Sequence, residues 1–317
     1  MTTTPLRNLI TGGAGFVGSH LVDRLMKLGE KVICLDNYFT GSKENIEYWI
    51  GRPGFELIDH DVIEPIKLDV DRIWHLACPA SPIHYQFNPI KTAKTSFLGT
   101  YNMLELARRV GARILFASTS EVYGNPEKHP QLETYNGNVN PIGVRSCYDE
   151  GKRVAESLCY DYVRMHGIEI RIARIFNTYG PRMLLNDGRL ISNLLVQSIN
   201  GEDLTIYGSG NQTRSFCFID DLIDGLIEFM NSSNTGPMNL GNEEEISILE
   251  IANLIRRDSI KKVNLKFLKE LEDDPFRRKP SLELALRELN WKPKIMFNDG
   301  LKITREYFRN KLKVDKI

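Results

Sequence analysis

Residues 7 to 36, RNLITGGAGFVGSHLVDRLMKLGEKVICLD, read as a strand, a glycine-rich turn, a helix and a second strand. RNLIT and KVICLD are short runs rich in β-branched residues. Between them GSHLVDRLMKLG carries apolar residues at helical spacing and ends in a glycine suited to a C-cap. The rhythm continues through FELIDHDV (55 to 62), RIWHLAC (72 to 78), RILFASTS (113 to 120) and EIRIARIF (169 to 176), with helical stretches such as TSFLGTYNMLELARRVG between most of them. Strand alternating with helix predicts an α/β fold built on a parallel, doubly wound sheet.

The turn after the first strand sharpens this to a Rossmann-type sheet. Gly12, Gly15 and Gly18 are spaced GxxGxxG, which lets backbone N–H groups and the helix N-terminus approach a pyrophosphate. Phe16 and Val17 belong to the same loop, and Leu76 and Ala77, near the end of the fourth strand, are further cofactor candidates. Asp36 ends the second strand where a carboxylate accepts hydrogen bonds from an adenosine ribose; a 2′-phosphate there would meet a like charge, so NAD is expected rather than NADP. Asn37, Phe39, Thr40 and Gly41 follow as candidates around that ribose and base, and Asp61-Val62 as candidates to bracket the adenine.

Beyond about residue 180 the rhythm changes. Helical NLLVQSIN, extended DLTIYG, strand-like RSFCFI, helical DDLIDGLIEFM and a charged tail form a mixed pattern. The expected organisation is a dinucleotide-binding domain over 1–180, which also carries catalytic residues, and a smaller α/β substrate lobe over 181–317, with some chain crossing back to the sheet. The cleft between them would receive the C-terminal ends of the strands.

Composition narrows the partners. The 317 residues carry 41 basic and 41 acidic side chains, so no general field favours nucleic acid or an anionic membrane. Cys34, Cys78, Cys147, Cys159 and Cys217 are odd in number and lack CxxC spacing, which argues against a disulfide framework and a structural metal site. With no export signal or long apolar run in the sequence, a cytoplasmic protein is expected.

Tyr148 and Lys152 in NPIGVRSCYDEGKR stand i, i+4, which on a helix sets an ammonium on the face of a phenol that must shed its proton near neutral pH. Tyr307 and Lys311 have the same spacing, but follow every sheet strand in the charged run TREYFRNKLK and read as a solvated helix face. The fifth strand ends in Ser118-Thr119-Ser120-Glu121, where cofactor and substrate should meet.

GGAGFVG, HLACPASP (75 to 82), STSEVYG (118 to 124), YDEGK (148 to 152) and RIARIFNTYGPRM (171 to 183) together resemble the extended short-chain dehydrogenase/reductases, and among them the UDP-glucuronate decarboxylases. The resemblance implies C4 oxidation by tightly bound NAD⁺, loss of CO₂ and re-reduction to UDP-xylose. Tyr148 would be the base, Thr119 its assistant, Lys152 the group that orients the nicotinamide ribose and lowers the Tyr148 pKa, and Glu121 a residue arranging the ring or a water. Asn177, Ser81, Tyr85 and Ser120 would touch the sugar. Arg189, Arg214 and Arg278 would meet substrate anions, Tyr207 would stack on uracil, and Gln212 would bond it. Arg277 stands beside Arg278 and leaves that assignment open, and Pro280-Ser281 departs from the family's usual Pro-Asp. A homodimer is expected by the same analogy. A decarboxylase that releases UDP-4-keto-pentose and NADH, a 4-epimerase or 4,6-dehydratase, and a non-catalytic nucleotide module remain the alternatives; Ser120, where dehydratases resemble Thr-Asp-Glu, disfavours dehydration.

Overall fold

The computed structural model describes residues 4–270 and 277–314. Its first half contains strands β1 (Arg7–Thr11), β2 (Lys31–Asp36), β3 (Phe55–Asp59), β4 (Arg72–His75), β5 (Arg113–Thr119) and β6 (Ile170–Ile175). Helices α1 (Phe16–Lys27), α2 (Pro82–Tyr85), α3 (Pro89–Lys94), α4 (Thr100–Val110) and α5 (Ser146–His166) connect them. The second half adds short strands β7 (Thr178–Tyr179), β8 (Leu204–Tyr207), β9 (Thr213–Ser215), β10 (Cys217–Phe218), β11 (Met238–Leu240), β12 (Glu245–Ser247), β13 (Leu265–Leu268) and β14 (Arg277–Arg278). Its helices are α6 (Leu190–Asn200), α7 (Ile219–Asn231), α8 (Ile248–Arg257), α9 (Glu283–Leu289) and α10 (Phe297–Val314).

The central sheet runs β11-β6-β5-β4-β1-β2-β3, all parallel. Apolar side chains bury both faces. On one, Leu21, Val22 and Leu25 of α1 pack with Ile10, Val32 and Cys34, and α7 closes over them with Leu222 and Leu226. On the other, Met103 and Leu104 of α4 and Ala155 and Cys159 of α5 meet Leu9, Ile33 and Ile114. Strand order reverses between β1 and β4, and such a switch point opens a crevice at the strands' C-terminal ends. The seventh strand, β11, comes from the second half, so the chain returns to the sheet after building part of the outer lobe.

Backbone proximity in the first turn depends on glycine. Gly12 has φ +71°, and a Cβ on Gly18 would lie 2.1 Å from the Gly12 carbonyl oxygen. Because that obstacle is backbone, Gly18→Ala must lift α1 away from the turn. We expect a cost of about 1–3 kcal/mol. A thermal melt of the variant that overlays the parent's would contradict this packing.

The segment from α3 to α4 is continuous but passes through a π turn at Thr95–Gly99. Ser96 from that turn abuts Gly151 of α5, where a Cβ would fall 2.9 Å from Ser96 Cβ. α5 is therefore seated close against the neighbouring helix, and its first turn, with Tyr148, faces the cleft.

In the outer lobe β9 pairs with β12 and β14, which sets Arg278 opposite Arg214 in register. Tyr307 and Lys311 lie on α10 away from this cleft. The pair is less solvated than expected: Tyr307 packs against the edge of the core and Lys311 ion-pairs with Glu44.

Candidate active site

The cleft has two joined halves. Gly12, Gly15, Phe16, Val17, Leu76 and Ala77 line the half at the β1–α1 turn. Gly15 precedes α1 as its N-cap and has no side chain to cap it, so the N-terminal N–H groups remain available to a bound anion. A Cβ on Gly12 would sit 3.0 Å from Ala77 Cα, so the floor there admits only bare backbone. An uncapped helix terminus above a glycine floor fits a dinucleotide pyrophosphate.

Asp36 is buried at the end of β2. Its carboxylate accepts the Ala14 N–H at 2.9 Å and the Tyr38 N–H at 2.8 Å. Burial raises its pKa, and these bonds oppose the rise. Asp36 thus fixes the turn itself and still faces the cleft. Gly41 lies against it, since a Cβ there would fall 2.9 Å from both carboxylate oxygens, and it shapes the site by permitting that contact rather than by lining the cleft. Asn37, Phe39 and Thr40 form the rim with Asp61 and Val62. Asp61 receives Lys91 Nζ at 2.6 Å and Asn37 Nδ2 at 3.0 Å. Burial would raise its pKa, but these donors and the Ile63 N–H lower it. Lys91 was not legible as a partner, because nothing in the sequence links the π-turn helix to the third strand. Ser81, expected at the sugar, sits on this dinucleotide half with its Oγ 2.6 Å from His84 Nδ1.

The other half gathers Thr119 from the end of β5, Ser120 and Glu121 from the 3-10 turn that follows it, and Tyr148 and Lys152 from α5. Tyr148 is 5% exposed, faces Thr119 across the cleft, and stacks on Tyr85 with ring centroids 5.1 Å apart and planes 3° from parallel. Burial pushes its phenol well above the ordinary value, with Cys78 adding to the rise and Thr119 opposing it. Lys152 does not deliver its ammonium to that hydroxyl: Nζ donates to the Ala117 carbonyl at 2.7 Å and lies 5.9 Å from the Tyr148 ring centroid. The i, i+4 spacing puts both residues on one face, but the buried ammonium turns to the nearest backbone acceptor. The expected activation of the phenol by Lys152 is therefore not made by direct contact.

Glu121 is held from both sides. Arg278 of β14 pairs with Oε1, and Arg145, the N-cap residue of α5, pairs with Oε2. Burial alone would raise this carboxyl, but the two guanidiniums win and hold it down to about 2. Arg278 also donates to the Gly124 carbonyl at 3.0 Å. The neighbouring Arg277 is exposed, so Arg278 is the member of the pair that lines the cleft. Ser281, where the family's usual aspartate is replaced, is turned away: its hydroxyl accepts the Glu283 N–H at 3.4 Å at the entry to α9. Glu121 and Gly124 orient Arg278 instead.

Asn177, Arg189, Tyr207, Gln212, Arg214 and Tyr85 complete this half. Gln212 Nε2 donates to the Tyr207 carbonyl at 2.7 Å, which fixes one against the other. Arg189 reaches across the cleft mouth to the Ala80 carbonyl at 3.0 Å and pairs with Asp187 at 3.2 Å. Sequence reasoning missed Arg145. The only signal was its place three residues before Tyr148, where a helix-capping role reads equally well.

The family model for GDP-mannose 4,6 dehydratase matches residues 9–304. UDP-glucuronic acid decarboxylase 3 of Arabidopsis thaliana is 58% identical over 98% of this chain and 91% of its own length. UDP-glucuronic acid decarboxylase 1 of Xenopus tropicalis is 58% identical over 96% of this chain and 73% of its own. Among solved structures, the dTDP-glucose 4,6-dehydratase DesIV of Streptomyces venezuelae, with NAD bound, has a TM-score of 0.88 at 25% identity, covering 98% of each chain. UDP-glucose 4-epimerase of Thermotoga maritima, with UDP-glucose, has a TM-score of 0.87 at 26% identity, covering 97% of this chain and all of that one. The fold is thus common to several sugar-nucleotide chemistries, while the high identity is to decarboxylases. The chain belongs to the GDP-mannose 4,6 dehydratase family and, within it, to the UDP-glucuronic acid decarboxylases.

Proposed function

We propose that this protein converts UDP-glucuronate to UDP-xylose and CO₂. The observation that carries this reading is the meeting, in one cleft, of the Tyr148–Thr119 pair with a carboxylate held between two arginines, in a chain so similar to decarboxylases. NAD would be held at the β1–α1 turn by Asp36 and the glycine floor, and would supply the hydride acceptor and donor for C4.

Tyr148 Oη takes the C4 hydroxyl proton as that carbon is oxidised, while Thr119 Oγ1 bonds the same oxygen. The resulting ketone stands β to the C6 carboxylate, so the bond to that carboxylate breaks with its electron pair passing into an enolate. Tyr148 and Thr119 hold the enolate oxygen. C5 takes a proton, with Glu121 arranging the donor, and Tyr148 returns its proton when C4 is reduced. Lys152, buried and bonded to Ala117, would orient the nicotinamide ribose and, as a cation one helical turn from Tyr148, favour the phenolate that accepts the proton. Arg189, Arg214 and Arg278 meet the substrate's anionic groups, and Tyr207 and Gln212 the uracil.

The cofactor stays bound between turnovers in this reading, since each turnover restores NAD⁺. The protein acts as a homodimer, supported by the exposed apolar side chains Phe97, Leu98 and Tyr101 beside Val154 of α5. A cytoplasmic setting suits five unpaired cysteines, and among the described residues no helix is long and apolar enough to cross a membrane.

Purified protein incubated with UDP-glucuronate should release CO₂ and yield a UDP-pentose by mass spectrometry. A product lighter by two hydrogens, with added NAD⁺ consumed, would move the assignment to a decarboxylase that stops at the ketone. Activity on UDP-glucose with C6 retained would move it to an epimerase or dehydratase.

A further inference from the structure

Arg145 is shared between two acids. Its guanidinium pairs with Glu121 Oε2, and its Nε lies 3.7 Å from Asp149 Oδ2, one helical turn along α5. Asp149 is 6% exposed, and its other oxygen, Oδ1, is buried without a hydrogen-bond partner. The proposed reaction has no step that uses either Arg145 or Asp149. A buried carboxyl with one bare oxygen and a cation 3.7 Å away that it shares with another acid is costly to ionise.

The geometry points to Arg145 and Asp149 as a positioning pair for Glu121: Asp149 in its neutral form leaves Arg145 committed to Glu121, and ionised Asp149 competes for it. This rests on the decarboxylase reading above. With Asp149 neutral, Glu121, Arg145 and Arg278 carry one net positive charge beside the reacting ring, which complements a substrate carboxylate. With Asp149 ionised the cluster is neutral, and Arg145 is drawn along α5 away from Oε2. Loss of CO₂ leaves negative charge on the ring and consumes one proton from solution. A fixed Glu121 and a net positive surround favour that step over the preceding hydride transfer.

The groups around Asp149 agree in sign. Burial and the Glu121 charge raise its carboxyl to about 7, Glu150 adds to the rise, and Arg145 and Arg278 oppose it. Tyr85 of α2, whose buried hydroxyl also lacks a partner, and Cys147 carry no charge near neutral pH, since both are shifted upward. The folded protein therefore holds a proton on Asp149 that the unfolded chain releases near the ordinary value of 3.8. Its contribution makes stability fall as pH rises from there through about 7.

The test compares parent, Arg145→Gln, Arg145→Lys and Asp149→Asn with UDP-glucuronate. For Arg145→Gln we expect kcat to fall by about 10²-fold with KM changed little, bound NADH absorbance accumulating because the step after C4 oxidation is slowed, and partial rescue by lysine. For Asp149→Asn the ratio of kcat at pH 8.5 to that at pH 6 should rise about tenfold over the parent's, because the asparagine stays neutral. Its melting temperature should also lose the decline between pH 4 and 7. A parent-like kcat in Arg145→Gln, or a loss carried wholly by KM, would overturn the assignment, as would a pH profile of Asp149→Asn that overlays the parent's. If the parent itself yields no UDP-pentose, it is the decarboxylase reading that fails.

Discussion

Tyr148→Phe should lower kcat by about 10³-fold or more, because one hydroxyl serves as base in the oxidation and as acid in the reduction. The ring itself is expected to stay in place. Its stacking on Tyr85 and its seat on the first turn of α5 do not depend on the hydroxyl, so a folding defect should not mask the chemical one. UDP affinity should be nearly unchanged, since Tyr207, Gln212 and Arg214 lie on the outer lobe. A single-turnover experiment separates the half-reactions: the variant should form neither NADH from UDP-glucuronate and NAD⁺ nor UDP-xylose from the 4-ketone and NADH. A variant within twofold of the parent would remove Tyr148 from the chemistry.

Glu121→Gln should have a comparably large and different effect. In the parent the carboxylate bridges two guanidiniums and offsets half of their charge, one of them, Arg278, with its side chain only 4% exposed. An amide of the same shape cannot, and removing one partner of a buried charge cluster costs about 3–5 kcal/mol. We expect a melting temperature lowered by several degrees and CO₂ release slowed by about 10²-fold, while C4 oxidation proceeds far enough for NADH to be seen. The pH dependence follows from sign. Because Glu121 is held down to about 2 in the folded state, its contribution to stability is fully present above the unfolded value of 4.5 and is lost as pH falls toward 2. In Glu121→Gln that acid-side decline should shrink. A variant as stable as the parent, with its full acid-side decline and parental CO₂ release, would contradict the role of the cluster.

Much of the fold is legible because it rests on period and punctuation. The first six strands follow runs of β-branched residues, and the nucleotide turn follows from glycines that only a crowded backbone requires. The strands end earlier than their apolar runs, because His60-Asp61 and Leu76-Ala77 leave the ladder to line the cleft. β11 escaped notice: three residues, Met238–Leu240, carry too little pattern to separate an inner strand from a loop. At the site, residues at strand ends and helix starts were readable through chemistry tied to position. Arg145 and Asp149 were not, since an arginine and an aspartate flanking a helix start look like solvated charges until Glu121, from the turn after β5, meets Arg145. The direction of the Lys152 ammonium was equally hidden, because spacing names a shared face and not the acceptor that a buried side chain chooses.

In the proposed reaction one hydride leaves C4, CO₂ departs, and the same hydride returns to C4. UDP-glucuronate deuterated at C4, turned over in ordinary water, tests it directly. The expected product is UDP-xylose carrying one deuterium at C4 and none at C5, with no NADH released. A UDP-xylose without deuterium at C4, or the label leaving in free NADH beside a 4-keto product, would contradict it.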